Sequence, residues 1–122
     1  ERSLTREAFG RPLAKLGGNV DIIAQARIEI EMTRLLCLKA AWLMDHEGTD
    51  AAQPFISMIK VAAPNMALKI IDDAMQMHGG IGISQDTPLV TWYGHQRTLR
   101  FADGPDAVHR MVIARRELNQ YR

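Results

Sequence analysis

An all-α fold, an antiparallel four-helix bundle, is predicted by three features of this sequence. Two long stretches, 19–47 and 50–77, repeat apolar side chains at helical spacing. No apolar–polar alternation runs long enough for a strand. The breaks between helical stretches are short, and short connections place consecutive helices antiparallel. Seven methionines against three phenylalanines suit a helix-packed interior filled by adaptable side chains.

Residues 1–8 read as the last turns of a helix, ended by Phe9-Gly10 and then Arg11-Pro12. Arg6 would lie in that last turn and complement the dipole. Gly17-Gly18-Asn19 is a turn, with Asn19 as N-cap of the first long helix. Ile22, Ala26, Ile30, Thr33, Cys37, Ala41 and Met44 form its apolar stripe, widened by Leu35, Leu38 and Trp42. So wide a stripe suits a bundle helix or one that also meets another subunit. Glu29, Glu31 and Arg34 fall on the wetter side, and Gly48 ends the helix.

Asp50 with Gln53 three residues on resembles a capping box and opens the second long helix. Phe55, Ile59, Ala62, Met66, Ile70, Ala74 and Met77 line one of its faces. Pro64 leaves the Lys60 carbonyl without its helical donor, at about 3 kcal/mol that packing must offset. The stretch Ala74 to Gln85 then carries Gly79, Gly80 and Gly82. Locally it is a helix cap and turn; it is also a place where backbone can lie close to a ligand. Asp86-Thr87-Pro88 starts a shorter helix, 88–99, and a final helix spans 105–120.

Gross composition sets limits. At 122 residues the chain is one domain or less. Fifteen basic against fourteen acidic residues leave a charge of +1, without the basic stripe a nucleic-acid partner needs. No apolar run is expected to reach membrane-spanning length, and the N-terminus has no signal-peptide core. A single cysteine, Cys37, excludes an internal disulfide and reads as packing. The four histidines never fall three or four residues apart, and neither H-E-x-x-H nor C-x-x-C occurs, so no metal site is expected. Adjacent Asp72 and Asp73 point about 100° apart on a helix and do not converge.

Asp103-Gly104-Pro105-Asp106 is the sharpest acidic feature. It reads structurally as an N-cap followed by a first-turn carboxylate. It also reads as a general base presented at a break between two helices.

Three islands stand in order: R-x-x-F-G at Arg6 to Gly10, Q-M-H-G-G-I-G at Gln76 to Gly82, and A-D-G-P-D-A-V-H-R at Ala102 to Arg110. Together they resemble the carboxyl-terminal helical domain of acyl-CoA dehydrogenases, across essentially the whole chain. The D-G-P-D variant resembles the branch acting on long-chain and hydroxylated acyl-CoAs. The resemblance implies a flavoenzyme of fatty-acid β-oxidation that removes the α-proton and β-hydride of an acyl-CoA thioester, with FAD taking the hydride. It implies Asp103 as the base and Gly104 beside the thioester. It implies Arg6 on the FAD phosphates across a dimer interface, Phe9 near the same flavin, and Gln76, Gly79 and Gly80 along the diphosphate and adenosine. A guanidinium suits a diphosphate because its fork gives paired charge-assisted bonds. It further implies a homodimer or homotetramer, an electron-transfer flavoprotein or similar acceptor, and a cytoplasmic location in bacteria or a mitochondrial or peroxisomal one in eukaryotes.

There are departures from the family pattern. Asp103 stands where many members carry the Glu of an E-G-T segment, which shortens the base by one methylene. Pro105 replaces the Thr whose hydroxyl meets FAD, and Gly17 falls near a frequent Gln. Residues 1–122 form a single domain, expected to be the carboxyl-terminal part of a larger flavoenzyme and inactive alone. An acyl-CoA oxidase or flavin monooxygenase of the same architecture, and a non-catalytic helical interaction module, remain as alternatives.

Overall fold

A computed structural model describes residues 1–122. Five helices make up the chain: α1 (Arg2–Thr5), α2 (Asn19–His46), α3 (Thr49–His78), α4 (Leu89–Thr98) and α5 (Asp106–Asn119). The central element is α3, against which α2, α4 and α5 all pack. Gly48, at φ 88°, turns the chain from α2 directly into antiparallel α3. Lys60 of α3 reaches the Leu99 carbonyl, Asn65 reaches Asp106, Ser57 meets His109, and Asp50 meets Arg116. Thus α4 and α5 follow one another along successive halves of α3, both antiparallel to it.

The N-terminal segment departs from expectation. Helix α1 stops at Thr5, and Arg6 is extended (φ −83°, ψ 125°). Strand β1 (Glu7–Ala8) pairs antiparallel with β2 (Arg11–Pro12) around Phe9-Gly10. Both turn residues have positive φ, 51° and 74°, the signature of a two-residue hairpin turn whose twist matches the strands. Two-residue strands are too short to show alternation, so only the turn residues could have signalled the hairpin.

The core of α2 also shifts. Leu36, Ala40 and Leu43 turn inward, whereas Cys37, Ala41 and Met44 are exposed. Repeated steps of four residues rotate a stripe by about 40° each, and in a helix this apolar several stripes can be drawn. Glu29 is not on the wet side. It is half-buried and pairs with Lys69 of α3 at 3.4 Å. A hydrogen bond from Gln25 lowers its pKa, opposed by burial and aided by Lys69.

Neither predicted cap holds. Gly18 caps α2, and Asn19 instead donates to the Leu13 carbonyl at 2.7 Å, tying the hairpin segment to the helix. Gly48 caps α3, and Gln53 turns toward Ser57. Two prolines lie inside α3, at 54 and 64. Pro54 leaves the Asp50 carbonyl without its helical donor, and Arg116 of α5 donates to that oxygen at 3.0 Å. Contrary to expectation, the span Thr49–Ile83 is long and apolar enough to cross a bilayer. Here α2, α4 and α5 pack against it, which accounts for its apolar faces, while Lys69, Asp72 and Gln76 face solvent.

Gly82 is buried where the chain folds back on the end of α3. A Cβ there would stand 2.5 Å from the Met75 carbonyl oxygen. By contrast, one at Gly80 would meet nothing within 4 Å. Gly82→Ala is therefore expected to destabilise the fold by about 1–3 kcal/mol through overpacking. Gly80→Ala should leave the thermal midpoint within a degree or two while weakening any ligand held at that surface. Thermal unfolding of the two variants side by side checks this.

Total accessible surface is 8445 Å². A compact monomer of this mass exposes about 6,600 Å². Part of the excess is apolar: Leu35, Leu38 and Trp42 of α2 are 64%, 58% and 48% exposed.

Candidate functional site

The break between α4 and α5 is held by side chains from α3. Lys60 Nζ donates to the Leu99 carbonyl and, at 3.2 Å, to the Gly104 carbonyl. Asp106 is 8% exposed. Its Oδ2 accepts from Arg100 Nε and Nη2, both at 2.9 Å, and from Asn65 Nδ2 at 3.2 Å. Asn65 uses the same amide nitrogen on the Val61 carbonyl at 2.7 Å. Burial pushes the Asp106 pKa up, but the hydrogen bonds from Asn65 and Arg100 and the charges of Arg100 and Arg110 outweigh it, and the net shift is downward. Asp106 is thus a buried structural anion. The sequence placed it correctly in the first helical turn, without the Arg100 and Asn65 partners.

Asp103 lies at the apex of the break. It is not the N-cap, a place taken by Pro105. It is exposed and sits at φ 55°, followed by Gly104 at φ 102°. A left-handed aspartate costs roughly 1 kcal/mol, and such strain persists only where the surroundings enforce it. Its carbonyl accepts from His109 Nε2 at 3.2 Å. Its carboxylate has no hydrogen bond or ion pair within the chain, unlike that of Asp106 three residues on. One carboxylate is held by Arg100 and Asn65, and the other has no partner within the chain.

The other residues singled out lie at the C-terminal end of α3, away from the break, which packs on the middle of that helix. Gln76, Gly79 and Gly80 are exposed where α3 stops. Gly79, at φ 64°, caps the helix, and its N–H is bonded to the Met75 and Gln76 carbonyls. It therefore presents no free amide to a phosphate. His78 closes the same turn on the Ala74 carbonyl at 2.7 Å. The N-terminal hairpin adjoins this end, because the segment after it is tied to the start of α2. Arg6 is exposed and makes no ion pair, and Phe9 is 96% exposed on the hairpin turn. Sixteen residues of α3 separate Lys60, beside Asp103, from Gln76, roughly 24 Å at 1.5 Å per residue. Asp103, Gly104 and Pro105 form one cluster. Gln76, Gly79 and Gly80, with Arg6 and Phe9 on the neighbouring hairpin, lie at the C-terminal end of α3, whereas the first cluster lies beside its middle.

Sequence reasoning passed over Ser57, Lys60 and Asn65. Ser57 was the one polar residue in the run Phe55-Ile56-Ser57-Met58-Ile59, and a lone hydroxyl in an apolar run needs a partner. Nothing marked Lys60 or Asn65.

The profile of the acyl-CoA dehydrogenase C-terminal domain matches residues 1–118. The chain is 50% identical over 119 residues to the protein named Probable acyl-CoA dehydrogenase FadE2 of Mycobacterium tuberculosis, covering 98% of this chain and 29% of that one. A solved Mycobacterium abscessus chain, assigned as an acyl-CoA dehydrogenase, is 57% identical with a TM-score of 0.97, over 99% of this chain and 30% of that one. Butyryl-CoA dehydrogenase from Megasphaera elsdenii is 27% identical with a TM-score of 0.88, over 96% and 30%. The chain thus spans about 30% of the length of these relatives. Others occur in animals and a plant. By profile, identity and fold, this chain belongs to the acyl-CoA dehydrogenase family, to the part that forms its C-terminal domain.

Proposed function

We propose that residues 1–122 are the carboxyl-terminal helical domain of a longer FAD-dependent enzyme that desaturates an acyl-CoA between its α and β carbons. The observation that carries this reading is the open Asp103 carboxylate, held in a left-handed turn between two helices. A general base must be reachable and not already neutralised by a cation. Asp103 takes the α-proton, and Gly104 lets the thioester end of the substrate approach. Bound FAD would supply the acceptor for the β-hydride.

The residues present suit that cofactor. Arg6 carries an exposed, unpaired guanidinium for a diphosphate. Phe9 offers a fully exposed ring on a rigid turn. Gln76 offers an amide, and Gly79 and Gly80 leave open space where a Cβ would project. Pro105, at the family's Thr position, contributes no hydroxyl. The roughly 24 Å along α3 between the two clusters favours a site shared between subunits, with Arg6, Phe9, Gln76, Gly79 and Gly80 of one copy serving the flavin beside Asp103 of another. The exposed Leu35, Leu38 and Trp42 supply apolar surface for such a homodimer or homotetramer. Electrons would pass on to an electron-transfer flavoprotein. The enzyme would act in the cytoplasm of a bacterium, or in a mitochondrion or peroxisome of a eukaryote.

The test uses the longer protein that carries this chain. It is expected to purify yellow, with bound FAD, and to bleach when acyl-CoA is added without oxygen. A colourless protein, or a flavin that no acyl-CoA of any length reduces, would overturn the reading.

A further inference from the structure

The turn that presents Asp103 is closed at its base by the Asp106 N–H, which donates to the Arg100 carbonyl at 3.2 Å, and by the Arg100–Asp106 ion pair, but no backbone bond holds its apex. Pro105 has no N–H, and Asp103 and Gly104 sit in left-handed backbone that needs external support. Two side chains supply that support. Lys60 Nζ holds the Gly104 carbonyl at 3.2 Å, and His109 Nε2 holds the Asp103 carbonyl at 3.2 Å. His109 Nδ1 lies 3.4 Å from Ser57 Oγ, and Gln53 Nε2 donates to the same Oγ at 3.3 Å. Ser57 is 2% exposed, so this chain of bonds starts in the interior of α3.

In a neutral imidazole the proton positions follow from the end of the chain. A carbonyl can only accept, so Nε2 carries the hydrogen. Nδ1 then accepts from the Ser57 hydroxyl, whose lone pair takes the Gln53 amide hydrogen. Every polar atom between Gln53 Nε2 and the Asp103 carbonyl has a complementary role. Gly104 completes the fit, since a Cβ there would stand 3.1 Å from His109 Nε2.

We propose that His109, oriented by Ser57 and Gln53, is the positioning residue that aims Asp103. The proposal rests on Asp103 being the base. An aspartate has one side-chain torsion fewer than a glutamate, so the place of its carboxylate depends more closely on its backbone. Holding the 103 carbonyl sets that backbone. His109 touches neither the carboxylate nor, on this reading, the substrate. It acts through the Asp103–Gly104 peptide.

The experiment compares His109→Leu, His109→Gln and Ser57→Ala with wild type in the full-length, flavin-loaded enzyme. Anaerobic single-turnover reduction by acyl-CoA gives the rate at saturation and the substrate Kd separately, and flavin content is measured in parallel. Leucine fills the space without a donor, whereas the amide of glutamine reaches near the Nε2 position. His109→Leu is expected to slow reduction by about 30- to 100-fold, the scale of a misplacement near 1 Å, with Kd and flavin content within about twofold. His109→Gln is expected to recover to within about fivefold of wild type, and Ser57→Ala to fall about fivefold. Wild-type rates in His109→Leu, no recovery in His109→Gln, or a loss confined to Kd would overturn the proposal. If His109→Leu fails to fold, an unchanged rate in Ser57→Ala overturns it. Asp103→Asn separates the two levels. An active Asp103→Asn removes the base assignment together with this proposal, whereas an inactive Asp103→Asn beside a fast His109→Leu removes this proposal alone.

Discussion

In the full-length enzyme, Asp103→Asn should retain flavin and lose its reduction by acyl-CoA by about 10²- to 10⁴-fold, the usual contribution of a positioned general base. The substitution is unusually clean here. Position 103 has φ 55°, and asparagine enters left-handed backbone as readily as aspartate does. The turn, the His109 contact to the 103 carbonyl and the Lys60 contact to the 104 carbonyl should therefore survive. What disappears is the ability to accept a proton. Anaerobic stopped-flow bleaching of the flavin measures the loss, and flavin absorbance before mixing shows that the cofactor site is intact. Fast bleaching in this variant would assign the base elsewhere.

Asp106→Asn, three residues away, should behave in the opposite manner. It should unfold the protein more easily without first touching chemistry. Removing one partner of a buried ion pair costs about 3–5 kcal/mol. The lower end, about 3 kcal/mol, is expected because Arg100 remains 34% exposed. Its pH dependence has a definite sign. The folded-state pKa of Asp106 is lowered, so the ionised pair stabilises the fold fully above the unfolded value, about 3.9. That stabilisation is lost as pH falls through the folded-state value. Denaturant titrations of wild type and Asp106→Asn should thus differ by about 3 kcal/mol near neutral pH and converge in acid. A gap that persists unchanged in strong acid would mean that packing, not the ion pair, makes up the difference. The two aspartates of one D-G-P-D segment are thus expected to respond differently, Asp103→Asn in flavin reduction and Asp106→Asn in stability.

The long helices were legible because their signal is repeated. Apolar residues recur through 19–47 and 50–77, and Gly48 between them can only be a break. The three motifs were legible as a family resemblance for the same reason, since their order and separation add information that no single motif has. Which face of α2 turns inward was not legible. Cys37 and Leu36 are equally apolar neighbours, and only the arrival of α3 selects Leu36 and exposes Cys37. The hairpin at Glu7–Ala8 and Arg11–Pro12 escaped because strands of two residues have no period to detect. Ser57, Lys60 and Asn65 escaped because their partners lie about forty to fifty residues away in sequence.

By itself the sequence determined the helical class, the positions of the main breaks and the family. These follow from local periodicity, from glycine and proline geometry, and from motif order, all of which are written along the chain. Tertiary structure alone decided that Asp103 is open while Asp106 is neutralised, that Gly79 closes a helix and Gly82 fills a close contact, and that one cluster lies beside the middle of α3 and the other at its C-terminal end. Each of these depends on which side chain of another helix arrives at a given point. Charge pairing and close packing act over a few ångströms in space, whatever the separation along the chain.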